Sequence, residues 1–447
     1  MPQTNLVRNL LDSVFARARR LRPGASPSDP TPSLPTGAAG ADTAMALARA
    51  LLAERSQFSS LKIARQMLTA YRALDDEGKT AFLTELAQNF SPDPQAVRRA
   101  LDAHDQAPSA YALSLVSKAA EAPRQELLRQ LNQAPMATAE LVTMRADLLR
   151  ILPQKPDLRA LDEDFVHLLR SWFNRGFLVM RRIDWSSPAD LLERIIRYEA
   201  VHSIAEWGEL RDRLQPADRR CYGFFHPAMG DEPLIFVEVA LSEEIPSSIQ
   251  SVLAPARTPL DTAKARVAVF YSISNCQDGL AGISFGQFLI KQVAEDLLAE
   301  FPQLHTFVTL SPMPGFQRWL QKAAASGDND ARAALAHGTP GNDWTDDDPR
   351  TRARMTLAAR YFLTERDERG RLIDPVARFH VGNGARVERL CWMGDTSPRG
   401  MAQSGGLMVN YLYDLERAEA NHTAYARHSN VAASLALQAL APVSPPR

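Results

Sequence analysis

Residues 267–319 restrict the fold of this chain more than any other stretch. They read VAVFYSIS, NCQDGLAGISFG, QFLIKQVAEDLLAEF and HTFVTLSPMPGF: an apolar strand, a Gly-rich loop, an amphipathic helix and a second strand ending in Ser-Pro. The β-branched and aromatic run at 267–273 suits a strand buried on both faces. Gly279, Gly282 and Gly286 free the loop backbone to turn its N–H groups toward an anion. Gln287, Ile290, Val293, Ala294 and Leu297 recur at helical spacing and give the next segment one apolar face. A strand, a glycine loop and a helix N-terminus make a place for phosphates. The second strand then puts Ser311 at a carboxyl end, and ligands of α/β sheets sit beyond such ends. Spacing alone fits a nucleotide, coenzyme A, or a tight turn with no ligand.

The remaining sequence sets the class. With 447 residues, 45% hydrophobic and 23% charged, the chain has the composition of a globular protein of more than one domain. A formal net charge of −1 supplies no field to recruit nucleic acid or a membrane surface. No apolar run is long enough to span a bilayer. Cys221, Cys276 and Cys391 lie far apart and form no CxxC, so neither a zinc site nor a disulfide framework is indicated, and a reducing compartment is expected. The first residues are basic and amphipathic, with Leu6, Leu10, Leu11, Val14 and Phe15 on one side. A presequence or an interfacial helix would read this way, and so would a surface-lying terminal helix, which we favour. The Ala/Arg-rich composition points to a bacterial, cytoplasmic chain; a mitochondrial address applies only if the source is eukaryotic.

Three segments follow. Residues 1–41 read as flexible, because 24–40 are rich in Pro, Ser and Gly and lack large apolar side chains. Residues 42–174 read as a helical bundle: Asp93 and Pro94 start one helix, and Leu127, Leu128 and Leu131, then Leu141, Met144, Leu148 and Leu149, mark apolar stripes. This part holds no catalytic constellation, and His104 and His167 are isolated. Residues 175–447 alternate strands and helices, with a hairpin about Gly230-Asp231, a polar excursion at 327–349 read as a solvated loop, a helix at 350–364, a turn at Asn383-Gly384 and a strand at 385–392. The expected fold class is therefore α plus α/β, an all-helical bundle followed by a mixed α/β catalytic domain.

Several residues are candidates for chemistry. The run 282–286 matches G-x-S-x-G, but a nucleophile elbow needs its Ser directly after a strand, and residues 275–281 intervene. Ser284 is thus read as a loop residue whose backbone matters, and Ser404, in AQSGG, fails the same test. Ser311, held by Pro312 and Pro314, either faces a ligand crevice or caps a helix starting near Phe316. His380, before Gly382-Asn383-Gly384, either exchanges protons or serves as a structural residue at a turn. Tyr413 either donates a phenolic hydrogen bond or fills the core. The residues themselves lead as far as an acyl or phosphate ligand with Ser/His chemistry.

The motifs VAVFYSIS, QDGLAGISFGQFLIKQV, FVTLSPMPGFQRWL, ARFHVGNGA and WMGDTSPRGMAQSGGLMVNYLYDLE, with YEAVHSIAEW and RRCYGFFHPAMGDEPLIFVEVAL upstream, together resemble the malonyl-CoA decarboxylase family. The resemblance covers most of the chain after Asn174. It implies an N-acetyltransferase-like catalytic domain behind a helical domain; the leucine stripes of the helical domain, which holds no site, lead us to expect that it builds subunit contacts in a dimer or tetramer. It implies malonyl-CoA as substrate, with coenzyme A part of that substrate and no separate cofactor or metal. It implies a pyrophosphate site at Ala281, Gly282, Ile283, Ser284, Phe285, Gly286 and Gln287, and a catalytic pair of Ser311 and His380 with Tyr413 as a further donor. Ser284 stands where animal relatives carry an acidic residue. An acyl-CoA-dependent N-acyltransferase would share the glycine loop, and a coenzyme A-sensing scaffold would bind without turnover.

Overall fold

A computed structural model describes residues 37–255, 257–283, 289–341 and 344–440. The first part is helical: Gly37–Ala53, Gln57–Arg72, Asp76–Asn89, Pro94–Gln106, Ala110–Ala120, Pro123–Leu131, Ala137–Ile151 and Arg159–Trp172. The stripes read from the sequence face inward, with Leu127, Leu128, Leu131, Leu141, Met144 and Leu148 all buried. Asp93 caps its helix by accepting from the Gln95 N–H at 2.9 Å, with Pro94 in the first turn. One expectation fails here. The first described helix starts at Gly37, so 37–40, read as linker, are helical, and Gly40 and Ala41 are buried. Small side chains give this helix its packing row: Ala41, Ala44 and Ala48 are buried beside Met45 and Leu51. In contrast, helices Pro94–Gln106 and Ala110–Ala120 bury no residue.

The second part is an eight-stranded mixed sheet: β1 Val179–Ile183, β2 Arg219–Phe225, β3 Pro233–Ser242, β4 Val267–Asn275, β5 Thr306–Thr309, β6 Ser311–Pro312, β7 Arg386–Cys391 and β8 Met408–Leu412. Strands β1 to β4 form an antiparallel meander, and β2 and β3 make the expected hairpin. Helix Leu289–Glu300 then crosses over and brings β5 parallel to β4. It buries Leu289 together with Ile290, Val293, Ala294 and Leu297 of the face read from the sequence, whose first member, Gln287, lies outside the described residues. Strand β8 runs antiparallel to β5, β6 and β7. A mixed sheet thus follows a helical region, as the sequence leads one to expect. As its composition predicts, β4 packs on both faces, with Ala268 and Phe270 in one core cluster and Val267, Val269 and Tyr271 in another.

Pairing between β4 and β5 ends at Phe270↔Thr309, although β4 runs on to Asn275. The two strands therefore part at their carboxyl ends. There β4 is also irregular: Val239 pairs Phe270 while Glu238 pairs Ser272, leaving Tyr271 as an extra residue. The chain leaving β5 crosses onto β8, where Ser311 pairs with Val409.

The turn at Asn383-Gly384 and the strand after it are present as expected. Before them stands helix Pro375–Gly382, which the sequence reading did not give: Asp374 accepts from the Val376 and Ala377 N–H groups, both at 2.9 Å, and Pro375 occupies the first turn. One more expectation is corrected. The polar excursion contains helix Asn329–Ala336, capped by Asp328 on the Ala331 N–H at 2.9 Å and anchored by buried Ala331 and Ala334.

Candidate active site

Three elements meet where β4 and β5 part. Strand β5 and its continuation supply Thr309 and Ser311, which share a face because strand side chains alternate with period two. Helix Pro375–Gly382 supplies His380, and the residue after β8 is Tyr413, whose N–H extends the ladder to the Phe307 carbonyl at 2.8 Å. All four are buried.

They form one hydrogen-bonded chain. Ser311 Oγ lies 3.2 Å from His380 Nε2 and donates to Thr309 Oγ1 at 2.9 Å. His380 Nδ1 lies 2.8 Å from the Tyr413 hydroxyl. Thr309 Oγ1 accepts the Tyr411 N–H at 3.2 Å, and Asn410 Nδ2 donates to the Thr309 carbonyl at 2.8 Å. The ring of Tyr411 stacks on His380, with centroids 4.5 Å apart and planes at 25°, and fixes the imidazole plane.

Burial drives the imidazole of His380 down to about 3, so near neutral pH it carries a single N–H. The same desolvation raises Tyr413 well above the ordinary phenol range and keeps its hydroxyl protonated. With Ser311 donating to Thr309, the proton of His380 sits on Nε2 and Tyr413 donates to Nδ1. Reversing every donor gives a second arrangement, with Ser311 donating to Nε2 and Nδ1–H to Tyr413. A proton can pass along this chain by switching between the two.

Ser311, His380 and Tyr413 are thus brought together, although 69 residues separate the first two and 33 the last two. Ser311 does not cap the following helix; Gly315 occupies that N-cap position. Ser404 ends helix Pro398–Ser404 and donates to the Gly400 and Leu407 carbonyls, so its hydroxyl is structural. Of the proposed pyrophosphate residues, Ala281, Gly282 and Ile283 follow β4, with Gly282 at φ 75°. Ser284, Phe285, Gly286 and Gln287 lie outside the described residues. Among the described residues no group of three or more His, Cys, Asp or Glu could hold a metal ion, and no helix is long and apolar enough to cross a membrane.

Sequence reasoning missed three supporting residues. Thr309 was legible in principle, two positions before Ser311. Asn410 and the helix-borne Arg145, which reaches the loop after β4, announce themselves only through tertiary contacts.

The model of the malonyl-CoA decarboxylase C-terminal domain matches residues 176–445, and that of the N-terminal domain of the same family matches 90–173. The chain belongs to the malonyl-CoA decarboxylase family. Among curated members, the mitochondrial malonyl-CoA decarboxylase of Anser anser anser is 37% identical over 326 residues, covering 66% of this chain and 64% of that protein. That of Mus musculus is 36% identical, covering 66% of each. The chain thus spans slightly less than two thirds of these relatives. Among solved structures, the malonyl-CoA decarboxylase of Rhodopseudomonas palustris is 51% identical with a TM-score of 0.86, over 89% of this chain and 99% of that one. That of Agrobacterium vitis is 50% identical with a TM-score of 0.83 over the same shares.

Proposed function

We propose that this member of the family converts malonyl-CoA to acetyl-CoA and CO2, using its own side chains and no separate cofactor. The observation that carries this reading is the buried Ser311–His380–Tyr413 chain at the parting of β4 and β5. Decarboxylation requires the malonyl carboxylate to leave the plane of the thioester. The electron pair of the breaking C–C bond then flows into the thioester carbonyl, and the enolate carbon takes up one proton. The thioester is itself the electron sink, so the chemistry needs positioning and a proton source. In this reading Ser311 and His380 Nε2 grip the carboxylate and His380 delivers the proton, drawing on Tyr413 through Nδ1. A bound carboxylate places negative charge beside the imidazole and raises its proton affinity, against the effect of burial. Backbone N–H groups of 281–287 hold the pyrophosphate of coenzyme A.

Purified protein treated with EDTA should release CO2 and acetyl-CoA from malonyl-CoA in equal amounts, without ATP. Folded protein that consumes no malonyl-CoA would sink the reading, and acetyl transfer from acetyl-CoA to an amine would replace it with the N-acyltransferase one.

The helical region is proposed to carry self-association, as a dimer or tetramer. It exposes Phe58, Tyr111 and Leu113, and helices Pro94–Gln106 and Ala110–Ala120 bury nothing within the chain. Light scattering at micromolar concentration should give a multiple of the 49.4 kDa chain mass; a monomer with full activity would refute this. The three cysteines are buried and unbridged, which fits our assignment to a reducing cytoplasm.

A further inference from the structure

The helical bundle packs against the loop that follows β4. Helix Ala137–Ile151 lies against the turn Asp278–Leu280, which follows β4. The approach is too close for any side chain at Gly279: a Cβ there would lie 1.8 Å from the Val142 carbonyl oxygen. One helical turn on from Val142, Arg145 extends over the loop. Its Nη1 donates to the Gly279 and Ala281 carbonyls, both at 2.8 Å, and its Nε donates to Asp162 Oδ1 at 2.8 Å. The Arg145 side chain is 3% exposed, so a buried cation is directed at backbone that has no charge of its own.

This contact orients the loop. A trans peptide is planar, with its C=O and the next N–H pointing in opposite directions. Fixing the Ala281 carbonyl on Arg145 therefore aims the Gly282 N–H away from the bundle. Among the described residues that N–H has no hydrogen-bond partner, whereas the N–H groups of Leu280, Ala281 and Ile283 are each satisfied within the turn. Gly282 has φ 75°, the left-handed conformation that redirects the backbone here, and among the described residues nothing lies within 4 Å of where its Cβ would be.

We propose that Arg145, held by Asp162, is a positioning residue by which the helical domain sets the anion-binding edge of the catalytic loop. The proposal rests on the reading of that loop as the pyrophosphate site. Arg145 touches no substrate; it fixes which way the Gly282 N–H faces. The helical domain then contributes to affinity for the diphosphate part of coenzyme A and not to the chemistry at Ser311.

Two substrates separate these contributions: malonyl-CoA, and malonyl-pantetheine, which has the same reacting atoms but no pyrophosphate. Charge-assisted hydrogen bonds are being removed, so Arg145→Ala should raise KM for malonyl-CoA by about tenfold or more, with kcat held within about threefold. For malonyl-pantetheine kcat/KM should stay within about threefold of the unmodified protein. Arg145→Lys keeps the cation without the fork and should recover part of the loss. Should Arg145→Ala fail to fold, Asp162→Asn, which only loosens the guanidinium, carries the same comparison. Equal losses on both substrates, or no loss on malonyl-CoA, would overturn the proposal. Unmodified protein that turns over both substrates with equal kcat/KM would remove the loop from the pyrophosphate altogether, and the role of Arg145 with it.

Discussion

Ser311→Ala and His380→Asn should each lower kcat by about 10²–10⁴-fold, the range for loss of a positioned proton-transfer group. The double variant should lose little more than the worse single one, because the two side chains share one hydrogen-bonded chain. Melting temperatures separate this from a packing effect. Both residues are buried, and His380→Asn leaves Tyr411 without its stacked ring and Tyr413 without its Nδ1 partner, so some stability will be lost. Loss of packing alone would leave the rate per folded molecule almost unchanged. Multiplicative losses would mean that the two act independently, and a near-normal kcat in either single variant would remove that residue from the mechanism. pH supplies a second readout. In the free protein His380 is pushed down to about 3, so it should contribute no limb near pH 6.5 to kcat/KM. Any limb it adds belongs in kcat, where the bound carboxylate has raised it. The linkage sign follows from the same depression. The unfolded imidazole takes up a proton near 6.5 and the folded one does not, so His380 withdraws stability as pH falls from about 6.5 toward 3, at up to about 1.4 kcal/mol per pH unit. His380→Asn should flatten that acid limb.

Gly279→Ala should be among the most damaging glycine-to-alanine changes at the described residues. Its Cβ would meet the Val142 oxygen at 1.8 Å and the carbonyl carbon at 2.7 Å, both backbone atoms of a helix that cannot rotate away. Ordinary carbon contacts begin near about 3.5 Å, so helix and turn must separate. Overpacking of this kind typically costs about 1–3 kcal/mol and more where backbone must move. Separation also breaks the Arg145 contacts, so KM for malonyl-CoA should rise along with the loss of thermal stability. Gly282→Ala is the control for thermal stability alone, since its N–H belongs to the proposed pyrophosphate site: among the described residues its Cβ meets nothing within 4 Å, leaving the left-handed φ of 75°, worth about 1–2 kcal/mol. A Gly279→Ala protein with unchanged melting temperature and unchanged KM would show that helix and loop are not packed as described.

What was legible in the sequence depended on whether a signal was local. The β4–loop–helix–β5 unit was readable because its apolar periodicity and glycines lie in one stretch. Ser311 was readable because Ser-Pro closes an apolar strand. His380 was noticed as a residue but not assigned to a helix, although Asp374-Pro375 is an N-cap followed by a first-turn proline. The glycines at 382 and 384 drew attention to the turn at Asn383-Gly384, which is present, and away from the helix before it. The helix from Gly37 was missed because a Gly/Ala row lacks large side chains, yet small residues suit a close-packed face. Arg145 could not have been found: an arginine on an amphipathic helix looks solvent-facing until a loop 134 residues further on closes over it.

Asp374 does more than start a helix. Its carboxylate also accepts from the Tyr361 hydroxyl at 3.2 Å and faces the Gly315 N–H at the turn after Ser311. That turn has no room for a larger residue, since a Cβ on Gly315 would lie 2.4 Å from the Tyr361 oxygen. The segment that carries His380 and the segment that follows Ser311 are thus fastened to each other directly, short-circuiting the chain between them. A change in the length of the excursion at 327–349 should therefore leave the distance between the two catalytic candidates unchanged. The spacing of the two catalytic candidates is thus held by Asp374, a residue with no part in the proton path, and not by the length of chain between them.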